Sequence, residues 1–194
     1  MTMGKGGVGK TTIAHTLALA LARQGHAVTL TTTDPAAHLH HHEVPEGLDI
    51  TVESINPEQE TERYVESVIS KQRDILEPEQ LALLEEEMGS PCIEEIAVFQ
   101  AFARTVAEGA DRFVVIDTAP TGHTLLLLDA TQSYHKEISK RDDSLSEEVR
   151  NLLPRLRDPN FTRIVVVTLP EATPVHEAED LAADLQRADI TPYG

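Results

Sequence analysis

The amino-acid sequence predicts an α/β fold in which a mostly parallel sheet is flanked by helices. Two observations carry the prediction. Segments of helical period alternate along the chain with short β-branched runs, the order that βαβ units produce. Two of those runs, Arg112–Asp117 (RFVVID) and Arg163–Leu169 (RIVVVTL), are continuously apolar through their middles, as strands buried on both faces must be. The 194 residues amount to one domain's worth of chain.

The elements follow in order. A glycine-rich loop, Gly4 to Thr11, leads into a first helix over Thr11–Arg23, where Leu17, Ala18, Leu21 and Ala22 recur at helical spacing and Gly25 ends the run. Ala27–Thr33 (AVTLTTT) reads as a strand running into Asp34-Pro35, and Leu48–Ile55 (LDITVESI) alternates polar and apolar, which suits a second strand or an edge. Residues 57–88 form an acidic helical excursion, two segments split near Pro78. Gly89-Ser90-Pro91-Cys92 breaks it, and Glu94–Glu108 is a further helix with Ile96, Val98, Phe99, Phe102, Ala103 and Val106 on its apolar face. Residues 135–160 read as a charged surface insertion, and the last helix spans about Val175–Arg187. Both ends look cut. Only Met1 to Met3 precede Gly4, too few for the strand that normally leads into such a loop, and residues 190–194 stop where a next strand would begin. The expectation is one domain over 1–194, truncated at both ends, with a loop that lacks its anchor.

Composition narrows the function. Sixteen basic against 33 acidic side chains give a formal net charge of −17, which repels bulk nucleic acid and anionic membrane surfaces. Aromatic residues make up 4% with no Trp, too few for a base-stacking surface. A single cysteine, Cys92, excludes an internal disulfide and fits a reducing cytoplasm. No apolar stretch is long enough to insert into a bilayer.

The chemistry sits in the loop. Gly4-Lys5-Gly6-Gly7-Val8-Gly9-Lys10-Thr11 matches G-x-x-x-x-G-K-[ST] at every position and opens a helix, the arrangement of a P-loop NTPase. Glycines let the backbone curl so that successive N–H groups, through Thr12, point at one phosphate chain of ATP. Lys10 is placed to reach the β- and γ-phosphates, and the Thr11 hydroxyl to ligate Mg²⁺. Asp34 and Asp117 end two predicted parallel strands, at the sheet edge where open α/β folds bind ligands. Asp117 suits the Mg²⁺ shell, and Asp34 suits both that shell and orientation of the attacking water. Each aspartate could instead cap the element that follows it.

Lys5, at a position the general pattern leaves open, resembles the signature lysine of the ParA/MinD-type dimeric ATPases. That resemblance implies a charge supplied in trans to a partner's phosphates; the plain alternative is a solvated lysine beside the loop. More specific is the likeness of Asp34-Pro35-Ala36-Ala37-His38-Leu39, of Asp117-Thr118-Ala119-Pro120-Thr121-Gly122-His123-Thr124 and of the leucine run 125–128 to the switch segments of arsenical pump-driving ATPases. The sister group that targets tail-anchored membrane proteins shares the DTAPTGHT pattern. Residues 90–102 and 167–175 favour the arsenical branch, and the likeness is closest to the second of its two homologous halves.

The resemblance implies an Mg²⁺-dependent ATPase that drives arsenite or antimonite out through a separate membrane pump, cytoplasmic and peripheral to the membrane. It also implies that Cys92 and His123 contribute to an As(III)/Sb(III) site completed by a second ATPase half or a homodimer partner. Soft thiolates suit a soft metalloid, whereas a lone cysteine can also be a small core residue and His123 a mere brace for its segment. The run His38–His42 fits no tetrahedral spacing and reads as solvated loop. Two rivals remain open. A tail-anchored targeting factor would need a Met-rich apolar groove, and this chain has three methionines. A positioning ATPase acting on DNA or membrane would have to overcome the net charge of −17.

Overall fold

A computed structural model of the chain describes residues 1–34, 44–119 and 146–194. Its centre is a five-stranded, wholly parallel sheet of β1 (Thr2–Met3), β2 (Val28–Thr32), β3 (Ile50–Ser54), β4 (Phe113–Asp117) and β5 (Val165–Val166), in the spatial order β3-β2-β4-β1-β5. Helix α1 (Lys10–Arg23) covers one face. Its Ala14, Ala18 and Ala22, four residues apart and all buried, meet Val28, Leu30 and Val115. Small side chains at that spacing let the helix lie close to the strands.

The larger core lies on the other face. Phe99, Phe102 and Val106 of α4 (Pro91–Ala107) pack with Val149, Leu152 and Leu156 of α5 (Glu147–Arg157), with Leu181 and Leu185 of α6 (Ala172–Arg187), and with Met3 and Ile116 of the sheet. The alternation of Val115 and Ile116 between the two cores is the two-residue period of a strand covered on both sides. The excursion folds as α2 (Pro57–Gln72) and α3 (Pro78–Glu87), each opened by a proline at its first position. Helix α2 packs on α4, fastened by an ion pair of Glu60 with Arg104, whereas α3 buries no residue. No helix among the described residues is long and apolar enough to cross a membrane.

Two expectations are corrected. The stretch before Gly4 is not too short for a strand. Thr2 and Met3 are both buried between β4 and β5, with Val165 N–H donating to Met1 O at 2.9 Å and Val167 N–H to Met3 O at 2.7 Å. Neighbouring strands supply partners on both sides, so two residues anchor the loop. The charged insertion read over 135–160 is, in its described part, helix α5, capped by Ser146 and burying Val149, Leu152, Leu153 and Leu156. Its charges lie on one side only and a four-residue apolar stripe on the other. At the far edge, Tyr193 N–H donates to Ile164 O at 2.7 Å, and Val166 N–H to Gly194 O at 2.7 Å, so the chain's last residues lie along β5.

Candidate phosphate-binding site

Strands β2, β4 and β1 lie side by side, and the register pairs Asp117 with Thr32 on one neighbour and Thr2 on the other. Their carboxyl ends therefore open onto one edge, where the glycine loop crosses. Gly4 is forced there by space. Its φ is 147°, and an added Cβ would sit 2.2 Å from the Val167 carbonyl oxygen. Gly7 and Gly9 also take positive φ, 80° and 96°. Val8 tucks inward and is buried, which leaves Gly6, Gly7 and Gly9 as an exposed backbone rim. Helix α1 starts at Gly9 with no side-chain cap and no acidic residue in its first turn. Its free N–H groups and positive dipole end face the rim, ready for an anion.

Four of the sequence-predicted residues come together below that rim. The Lys10 side chain is buried and its Nζ donates to the Lys5 carbonyl at 3.0 Å. Thr11 Oγ1 donates to Asp117 Oδ2 at 2.5 Å, and Thr2 Oγ1 donates to Asp117 Oδ1 at 3.3 Å. Burial pushes Lys10 below the ordinary lysine value, against the opposing pull of Asp117 and then Asp34. Burial likewise pushes Asp117 upward, opposed by Thr11, Lys10 and Thr2 and reinforced by Asp34. Asp34 is thus near enough to act on both, with its N–H held by Thr32 Oγ1 at 3.0 Å. Thr12 lies one residue on, exposed. The ends of β2 and β4 are tied directly: Ala119 N–H donates to Thr33 Oγ1 at 3.0 Å, and Thr33 N–H to Asp117 O at 3.0 Å.

The donor set is hard oxygen, which fits Mg²⁺ and not a soft metal. Among the described residues no group of three or more His, Cys, Asp or Glu gathers anywhere. A hydroxyl and one or two carboxylates suit Mg²⁺, which takes few protein ligands and completes its shell with water and phosphate oxygens. Lys5, by contrast, is held by another element: its Nζ donates to Glu177 Oε1 of α6 at 2.7 Å. Cys92 occupies the second position of α4 and is exposed, which removes the core-residue reading. It joins none of the contacts above. His123 and the His38–His42 run lie outside the described residues.

Two residues of the site escaped the sequence reading. Thr2 hides in a stretch taken to be too short for a strand, and only its register opposite Asp117 gives it a role. Glu177 is one acid among several on α6, and nothing local distinguishes it from its neighbours.

Comparison with known proteins agrees with the loop. The family model described as anion-transporting ATPase matches residues 1–143. The chain belongs to the anion-transporting ATPase family. This family member is 53% identical over 194 residues to an arsenical pump-driving ATPase of Acidiphilium multivorum, a match that takes in the whole chain and 33% of the relative. It is likewise 53% identical over 196 residues to an arsenical pump-driving ATPase of Escherichia coli, again over the whole chain and 33% of that protein. ATPase GET3C of Arabidopsis thaliana is 28% identical over 249 residues, covering 96% of the chain and 63% of that protein. The chain spans about a third of the length of the arsenical relatives.

Proposed function

We propose that this chain is an ATP-hydrolysing domain of an arsenical pump-driving ATPase, working with a second ATPase half or a second copy of itself. The observation that carries the reading is the Thr11–Asp117 contact of 2.5 Å beneath an uncapped helix start, with Lys10 buried beside it. The rim amides of Gly6, Gly7 and Gly9 and the start of α1 hold the phosphate chain, and Lys10 moves from the Lys5 carbonyl to the terminal phosphates. Thr11 and Asp117 would hold Mg²⁺, with Asp34 in its shell; the ion supplies charge neutralisation on the phosphate oxygens. Asp34 also orients the attacking water, and Lys5 of a second copy or half reaches the transferring group.

Similarity to proteins named arsenical pump-driving ATPases supports arsenite or antimonite as the cargo of a separate membrane pump, with this domain peripheral to it on the cytoplasmic side. Exposed Cys92 suits one thiolate of an As(III)/Sb(III) site shared with the second half, with His123 as a further donor. The test is ATP turnover with Mg²⁺, with and without antimonite. Stimulation that Cys92→Ser abolishes is the expected result. Turnover indifferent to metalloid but raised by a hydrophobic helix would transfer the chain to the targeting reading.

A further inference from the structure

The contact between Lys5 and Glu177 has no part in holding the fold's core. It joins the glycine loop to the second turn of α6 across 172 positions of sequence, at 2.7 Å, with the two side chains 38% and 39% exposed. At that exposure an ion pair is weak enough to be broken by a competing charge. The same residue holds the second loop ammonium through its main chain, since Lys10 Nζ donates to the Lys5 carbonyl. Both cations of the loop are therefore parked through Lys5, one by its side chain and one by its carbonyl. Of the other acids near it on α6, Glu179 lies 3.3 Å from His176, whereas the Glu177 carboxylate is the one that meets Lys5.

We propose that Glu177 is a positioning residue that latches Lys5 onto its own chain until the loop is loaded with nucleotide. The inference rests on the reading above that Lys5 serves a second copy or half. A bound triphosphate brings several negative charges to the rim. They draw Lys10 from the Lys5 carbonyl, attract the Lys5 ammonium and repel the Glu177 carboxylate, so loading and unlatching are linked. A nucleotide-free chain then presents no free Lys5 to a partner, and pairing waits for ATP.

Two measurements on the whole chain separate the latch from the reading it rests on. In the first, limited acetylation of the nucleotide-free protein is followed by peptide mass spectrometry, with exposed Lys71 as the internal reference. Glu177→Gln is expected to raise Lys5 modification about two- to fivefold, and Glu177→Asp to give part of that rise. Equal modification in wild type and Glu177→Gln overturns the latch. In the second, self-association with Mg²⁺ and ATP is measured by sedimentation velocity across wild type, Glu177→Gln, Lys5→Met and the double variant. The latch predicts association about two- to fivefold tighter in Glu177→Gln and no such gain in the Lys5→Met background. An equal gain in both backgrounds would mean that removing a negative charge is enough, and it too overturns the latch. If no variant associates with nucleotide, the two-copy reading fails, while the acetylation result still decides the latch.

Discussion

Helices α1 and α2 begin in opposite ways. At the start of α2, Asn56 accepts a hydrogen bond from Gln59 N–H at 3.1 Å, Pro57 fills the first position, and Glu58 and Glu60 sit in the first turn. A side-chain cap, a proline at the first position and first-turn acids all stabilise that N-terminus. At the start of α1, Gly9 offers no side chain, no acid follows, and the next residue is a buried lysine. A cap is worth about 1 kcal/mol and a first-turn acid about 0.3–1 kcal/mol, so α1 forgoes stabilisation that α2 takes. What α1 gains is an open, electropositive end. The corner around it carries a tension, because burial pulls Lys10 down and Asp117 up while each opposes that pull on the other. The apolar packing of α4 with α5 on the far face has no such tension and supplies stability to the domain as a whole.

This contrast can be broken or sharpened by substitution. The largest expected effect is from Gly4→Ala, because the new methyl would meet the Val167 carbonyl at 2.2 Å with φ in a region alanine rarely adopts. A loss of about 4 kcal/mol or more in chemical denaturation is expected. Leu152→Ala, a fully buried side chain of α5, should cost about 3 kcal/mol by the same measurement while leaving nucleotide affinity of the folded fraction unchanged. Asn56→Ala should cost about 1 kcal/mol through the lost cap, again without effect on the loop.

Asp117→Asn gives the smallest change in stability and the opposite sign. Burial raises the folded-state pKa of Asp117 above 3.8, so its contribution to stability is fully present below that value and is lost as pH rises through the folded pKa. The asparagine variant is therefore expected to be more stable than wild type at pH 7, by under about 1 kcal/mol, with the gap closing as the medium is acidified. Thermal unfolding across that pH range reads it.

The sequence disclosed features whose signal is local. The loop, α1 and the two strand-end aspartates are each written in fewer than about fifteen consecutive residues, a glycine pattern or an apolar run with an acid at its end. Strand β1 was missed because strand length is a poor guide when both neighbours are already in place to pair with Thr2 and Met3. Helix α5 was missed because seven of the sixteen residues from 143 to 158 are charged, and the charge hid the stripe formed by Val149, Leu152, Leu153 and Leu156. The partners Thr2–Asp117 and Lys5–Glu177 lie 115 and 172 positions apart, and such pairs exist only once the sheet is assembled.

The central claim, that the bare start of α1 with its buried lysine is a nucleotide site, is tested most directly by titrating the chain with Mg²⁺ and ATP in a calorimeter, wild type against Lys10→Ala. Saturable binding by wild type, weakened about a hundredfold or more in the variant while its thermal unfolding temperature holds or rises, is the predicted result. Equal affinity in the two proteins would contradict it.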